Sequence, residues 1–586
     1  MNLLNIILDY SSPQIDPVIK DGYLSYGPVS LYAQRISIGD RPAKNFVFNR
    51  DRGILCGVIG YISNISDLRE KVAASKNADD VDLIAELYLK EGEPSFPLLE
   101  GAFTAFVWDL TSQKGYIFQD ENGSQTPLFY LKTKERYLFC NSLRVLLKNG
   151  GFPRKLNQEA VRDFLYSRVI IPSEATLVEG VHKLLPGQMI IVDLKAQLLE
   201  VQNIQRDNIK VSSDSAKRDL VSSIGKEVER LSALSGVPEI GAALSSGFDS
   251  NLMMHFLSKQ FFKKITAVTI GGKKVNEISA ASRCAAVYEK VRHLTAVVGD
   301  DRLRNLPDIV WRTEGQVFEV GLFLTNEFAN ILCREGLLVV FLGDGADQQL
   351  NPFRMAKRPF RLCLNKLKNR VKQRIVPLRM FWRVLKRKKI YVSKYPYAIQ
   401  ALRPSRQVSG YDIKKDYILK KSGVFFNSYG IQPFYPFLGR KTFNLARSLN
   451  SKECRRKKFY KNAVKEYLGP KIGQHLKKIG GTTDIEYLCQ GKKELFERLL
   501  NQNLIIEILP GLNDKQKQKM LEDIPAYAES LVHLLYIYLF NELFITGKYD
   551  QSLDNAGFNL ALEDFLIGVK PERGILKPAS ATVVTN

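Results

Sequence analysis

About the first 200 residues break into short apolar runs separated by Gly, Asp and Asn. GILCGVIGYI, GAFTAFVWDL, GYIFQ, PLFYL, RYLFCN and QMIIVDL are rich in β-branched and aromatic residues. Such runs predict strands, with turns at the breaks. Helical spacing over VDLIAELYLKEG and QEAVRDFLYSRV predicts two helices among them. From about Ser213 the texture changes. The compact runs EIGAAL, ITAVTI, RHLTAVV and LLVVFLG alternate with longer helical periodicities. That alternation predicts a parallel sheet in a doubly wound α/β domain, where ligands bind at the carboxyl ends of strands. Beyond about Gly410 the pattern is mostly helical, and the closing KPASATVVTN is expected to fray.

A chain of 586 residues is too long for one ordinary core, so two or more domains are expected. No apolar run of about 20 residues is free of charge, so no membrane span is expected. The start, MNLLNIILDYSSPQ, lacks a basic segment and a small-residue cleavage site, so no signal peptide is expected. The seven cysteines are scattered without a CxxC pair, and the five histidines form no metal-spaced cluster. This argues for a reducing, cytoplasmic setting and against a zinc site. The net charge is +24 and uneven. Between Asp347 and Asp412 there is no acidic residue, and Arg and Lys crowd in, ending in LKRKKI. A basic insertion of this kind, about 351–410, suits an acidic partner, an anionic membrane surface or nucleic acid. A solvated helical face is the plainer alternative. No recognisable RNA-binding module is present, so nucleic acid ranks low.

Two strand ends carry candidate chemistry. AALSSGFDSN, Ala242–Asn251, ends a buried-strand pattern and opens a helix-like segment. Small hydroxyl residues at a helix N-terminus suit a phosphate, although Ser and Asp also cap helices for ordinary reasons. The second is Gly343-Asp344-Gly345-Ala346-Asp347. Its carboxylates suit Mg²⁺ completed by substrate phosphates, provided Asp249 and Asp347 lie on neighbouring strand ends.

SSGFDS resembles the pyrophosphate loop SGGxDS of the ATP pyrophosphatases, with Ser246 for one glycine. GDGADQQ resembles the GEGxDE segment of asparagine synthetases. Gly101–Asp109, Gln119–Tyr130, Thr176–Gln188 and Tyr429–Ala446 resemble further segments of that family in the same order. Lys457–Leu468 resembles the helix carrying its catalytic lysine. The resemblance implies a β-rich class II glutamine-amidotransferase-like domain of the Ntn type (αββα), about 1–205. An ATP-pyrophosphatase synthetase domain, about 206–550, and a tail, 551–586, would follow. It implies ATP and Mg²⁺, adenylation of a carboxylate, and displacement of AMP by an amine. Leu244, Ser245, Ser246, Gly247, Asp249, Ser250 and Gly343 are then expected at the nucleotide, and Val268 and Ile270 at the adenine. Asp249 and Asp347 are expected to hold Mg²⁺. Asp344 is expected to act as or organise the base, and Lys457 to stabilise the adenylate and oxyanion.

The departures from the family pattern are informative. Its glutaminase uses an N-terminal cysteine, whereas position 2 is Asn2 and no cysteine precedes Cys56. An amide side chain is no nucleophile. Ile59 and Tyr61 replace an asparagine and a glutamate of the NGEIYN segment, and Gln119 replaces an arginine, while Asp120 remains. A glutaminase fold without glutaminase activity is expected. Relatives lacking that cysteine include β-lactam synthetases and lasso-peptide cyclases, which close a ring with an amine of the same molecule. Asp344, where β-lactam synthetases have tyrosine, favours the second. The expected reaction is macrolactam formation on a ribosomal peptide. A leader peptidase, a leader-recognition protein and peripheral membrane contact through the basic insertion are its expected partners. The alternatives are an amidotransferase using free ammonia on a small metabolite or sugar, and a non-catalytic ATP-binding scaffold.

Overall fold

The computed structural model describes residues 3–9, 18–20, 23–26, 28–36, 44–75, 77–149, 151–167, 174–207, 209–260, 264–272, 276–350, 419–450, 453, 457–477, 485–547 and 584–585. The expected basic insertion and most of the expected tail lie outside them.

Two antiparallel sheets form the first domain. One runs, in spatial order, His182–Lys183, Phe129–Lys132, Arg136–Cys140, Leu3–Asp9, Val29–Gln34, Tyr23–Tyr26, Val18–Lys20. The other runs Leu198–Asn203, Gln188–Asp193, Lys114–Gln119, Gly101–Asp109, Ile54–Ile62, Phe46–Asn49. The unbroken apolar run Ile54–Ile62 follows from burial on both faces. Leu55 and Ile59 pack between the sheets, in one core with Ile6 and Leu31 of the first sheet and Phe106 of the second. Ile54, Cys56, Val58 and Ile62 pack outward against Leu83, Ile84 and Leu87 of helix Asp80–Glu91. Helices Leu143–Asn149 and Gln158–Ser167 cover the outer face of the first sheet through Leu146, Val161 and Phe164. The layers are therefore helix, sheet, sheet, helix, as expected.

The second domain is built on a sheet ordered Gln432–Phe434, Val339–Phe341, Glu239–Ala243, Lys264–Gly271, Val291–Val297, Val584–Thr585. The first five strands are parallel. The chain leaves Glu239–Ala243 toward Lys264–Gly271 and later returns on its other side at Val339–Phe341. That reversal makes the crevice beyond these two strand ends the natural ligand site.

Two expectations change. Val584–Thr585 pairs antiparallel with Leu294 and Thr295, so this part of the closing segment is not frayed. Gln432–Phe434 is a strand within a region read as mostly helical; a three-residue edge strand leaves no periodicity to detect. Ile524–Ile545 is long and apolar enough to cross a membrane, but 83% of its most apolar window is buried in the protein, as a core helix requires.

The domains share a core that includes Tyr61, Ala102 and Phe129 on one side and Phe434 and Tyr435 on the other. A buried polar clasp joins them. Glu314 accepts from Leu143 N at 2.5 Å, Ser142 Oγ at 2.9 Å and Arg144 Nε at 2.7 Å. It thus caps helix Leu143–Asn149 from the opposite domain.

Candidate active site

The first strand end continues its ladder to Leu244, whose N donates to Val268 O at 3.0 Å. Leu244 O accepts from Thr269 Oγ1 at 2.7 Å, and that hydroxyl lies 2.8 Å from His293 Nε2. Burial pulls His293 down to about 4, so the ring is neutral at physiological pH. Val268 is buried in the shared core and Ile270 is half-buried against it.

The loop beyond is tied from several sides. Ser245 and Ser250 hydroxyls are 2.8 Å apart, and Gly247 N donates to Ser245 Oγ at 3.1 Å. Asn251 Nδ2 donates to the carbonyls of Ser245 and Gly247 at 2.8 and 2.7 Å. Ser246 Oγ donates to Lys477 O at 2.5 Å, and its N to Glu277 Oε2 at 3.2 Å. Helix Phe248–Gln260 starts here, with its first-turn N–H groups directed along the axis at the loop. The second strand end crosses directly above: a Cβ on Gly343 would sit 3.7 Å from Ser250 N.

Lys457 draws the two loops together. Its Nζ lies 2.8 Å from Asp249 Oδ2 and 2.7 Å from Asp347 Oδ1. The residue is 4% exposed and has φ of +55°, at the entry of helix Lys458–Gly473. A non-glycine residue held left-handed costs roughly 1–3 kcal/mol. The double ion pair over-determines that conformation. Asp249 Oδ1 is buried and has no hydrogen-bond partner among the described residues. Burial, and then the Asp249 charge, push the neighbouring Tyr460 phenol well above its ordinary value. The shared position is taken by the Lys457 ammonium, and a hard divalent cation would be held beside it through the buried Asp249 Oδ1 and the Asp347 carboxylate.

Asp344 stands apart from this pair. Its carboxylate accepts from Ser422 Oγ. Burial pushes it up; the Lys421 charge and the Ser422 hydrogen bond act against that, and Glu319 adds to it. Lys421 Nζ is paired with Glu319 Oε1 at 2.7 Å.

The positions where the sequence departs from the amidotransferase pattern are buried or bonded. Ile59 is fully buried between the sheets. The Tyr61 ring meets Phe434 edge-on at 4.7 Å. Gln119 Nε2 donates to Thr104 Oγ1 at 3.2 Å and Thr126 O at 3.1 Å. Asp120 accepts from Asn122 N, Ser124 N and Ser124 Oγ, at 2.9, 3.2 and 3.0 Å. Cys56 is wholly buried, and burial pushes its thiol up.

Comparison with known proteins fits this two-part architecture. Residues 20–202 match the glutamine amidotransferase domain family, and residues 231–503 match the asparagine synthase family. The chain belongs to the asparagine synthetase superfamily, whose synthetase domain is that of an ATP-dependent carbon–nitrogen ligase. No curated protein sequence matches it. Among solved structures it is similar to the glutamine phosphoribosylpyrophosphate amidotransferase of B. subtilis, crystallised with ADP and GMP. The identity is 13% and the TM-score 0.23, over 58% of this chain and 75% of that one. It is also similar to an allosteric regulatory enzyme of purine biosynthesis, at 12% identity and a TM-score of 0.25 over the same shares.

Asp249, Asp347, Gly343, Lys457 and the Ser245–Ser250 loop therefore meet at one crevice. Sequence reading passed over Asn251, Glu277, Lys421, Ser422 and Glu319. Asn251 sits inside the quoted loop and was legible as a polar residue on a buried helix. Lys421 and Ser422 carry no motif, and the basic segment separates them from the strand end they serve.

Proposed function

We propose that this chain is an ATP-dependent macrolactam synthetase. It adenylates an Asp or Glu side chain of a ribosomal peptide and closes a ring with the peptide's N-terminal amine, releasing AMP and pyrophosphate. The ATP half rests on one observation: the convergence of Asp249 and Asp347 on the Lys457 ammonium beside a helix N-terminus.

The substrate carboxylate attacks the α-phosphorus of ATP, and pyrophosphate leaves. Mg²⁺ held by Asp249 and Asp347 would neutralise the departing charge. Ser245, Gly247 and Ser250 hold the loop that presents the helix N-terminus to the phosphates. The peptide amine then attacks the acyl adenylate. Lys457, buried and with fixed Nζ, stabilises the oxyanion. Asp344, its carboxyl raised by burial, takes the amine proton. AMP leaves and the amide remains.

Burial of Ile59 and Tyr61 supports an amine that does not come from glutamine. An amine within the activated molecule needs no such supply, because proximity replaces concentration. The cytoplasm, where ATP is abundant, is the proposed location. A leader peptidase and a leader-recognition protein are the proposed partners, with membrane contact through the basic segment.

The test is mass spectrometry after incubating the purified chain with Mg·ATP, a leaderless peptide from the same locus and its leader-processing partner. AMP with a peptide lighter by one water is the expected result. AMP formed only with free aspartate and ammonium would overturn the peptide assignment. Tight ATP binding without AMP in any mixture would overturn the enzymatic one.

A further inference from the structure

One turn of the amidotransferase-like domain reaches the back of the synthetase site. Asp120 receives three hydrogen bonds from Asn122 and Ser124, which fixes the turn's shape. The Ser124 carbonyl then lies against Gly423: a Cβ there would come within 2.2 Å of the oxygen. Tyr435 OH reaches the same oxygen at 3.5 Å. The next residue, Gln125, makes two directed contacts. Its Oε1 accepts from Asn427 Nδ2 at 2.8 Å, and its Nε2 donates to Ala102 O at 3.1 Å. Gln125 is 1% exposed and Asn427 is fully buried. Gly60 makes room for the pair, since a Cβ there would stand 2.9 Å from Gln125 Nε2.

Gly423 and Asn427 lie on helix Lys420–Ser428. The same helix carries Ser422, bonded to Asp344, and Lys421, bonded to Glu319. An apolar seam would hold two domains together but would not fix how a helix is rotated. A buried amide pair does, because its geometry is directional and an unmade bond there is costly.

We infer that Ser124 and Gln125 are positioning residues of the synthetase site, acting through helix Lys420–Ser428 to hold Ser422 against Asp344. The amidotransferase-like domain thus contributes to ligation without handling glutamine. The effect on turnover rests on the ligase reading above, whereas the seating of the helix does not. A displacement of about 1 Å at a base is enough to slow proton transfer severely.

The test uses the full chain with Mg·ATP and the peptide from its locus. Gln125→Ala and Asn427→Ala should each lower kcat for AMP formation about tenfold, with the KM for ATP within about twofold of the parent. The double variant should be no worse than the weaker single one, and the exchanged pair Gln125→Asn with Asn427→Gln should recover most of the rate. Without substrates, hydrogen exchange at amides 420–428 should quicken in Gln125→Ala while that at 245–250 stays unchanged. Losses that multiply in the double variant, or a parallel rise in the KM for ATP, would overturn the inference. So would unaltered exchange at 420–428. If the parent chain makes no AMP at all, the ligase reading fails and the exchange result alone decides the positioning role.

Discussion

Lys457 is where the most chemistry depends on one side chain. Its ammonium neutralises Asp249 and Asp347 together, from a backbone conformation that only a fixed head group justifies. Lys457→Met should lower AMP formation by roughly 10²–10³-fold, as loss of a preorganised oxyanion donor does. Lys457→Arg should recover little, because a planar fork does not fit the position of a compact ammonium. Steady-state turnover of both variants checks this; a loss of less than about fivefold in Lys457→Met would remove the lysine from the mechanism. Glu227 makes a different prediction. Burial raises its carboxyl to about 7, with Glu100 adding and Arg230 opposing. A carboxyl raised in the folded state contributes stability below its ordinary value near 4.5, and that contribution is lost as the pH rises through about 7. Asp120, raised to about 6 by burial, acts with the same sign. These two carboxyls favour the fold at pH 5 over pH 8, while His255 and His293, both pulled down to about 4 by burial, act in the opposite sense. Glu227→Gln should remove up to about 3 kcal/mol of the carboxyl contribution. Thermal melts of both proteins across this range measure it, and equal pH slopes would refute it.

At the scale of elements, the clasp at Glu314 joins a loop of one domain to the first turn of a helix in the other. Glu314→Ala removes the carboxylate paired with the buried Arg144 and uncaps the Leu143 N–H. Loss of roughly 3–5 kcal/mol is expected, read as a lowered melting temperature. Glu314→Gln keeps one acceptor oxygen, enough for the Ser142 and Arg144 donors or for the Leu143 N–H but not for both, and should lose less; equal losses would mean that charge, not capping, dominates. Elements with both faces buried were legible in advance: Ile54–Ile62, Gly101–Asp109 and Lys264–Gly271 are apolar because each side meets a core. The strand Gln432–Phe434 was not. Its three residues, Gln, Pro and Phe, carry no strand signal, and it forms because the edge of a parallel sheet is available beside Val339–Phe341. The loop residues at both strand ends were legible from their Gly, Ser and Asp content. Lys421, Ser422 and Glu319 were not, because only tertiary folding brings them to Asp344.

The whole molecule reads as two domains sharing one site wall. The double sheet of the first domain keeps its layers, with Ile59, Tyr61 and Gln119 buried in it. Tyr61 and Gln125 face the second domain, through the Phe434 ring and the Asn427 amide. Removing the first domain should then cost more than an ancillary part would. It would strip Phe434, Asn427 and Gly423 of the surfaces they rest on.

The ion pairs of Lys457 also have a meaning in time. Asp249 and Asp347 leave the ribosome well before the lysine that balances them, and the stretch between residues 347 and 457, made after both, takes about 5–20 s at ordinary elongation rates. Throughout that interval the growing chain carries two strand ends that repel one another and cannot settle into their final approach. The N-terminal domain is complete by then, so the nascent protein passes through a stage with one finished half and one half waiting for its last cation.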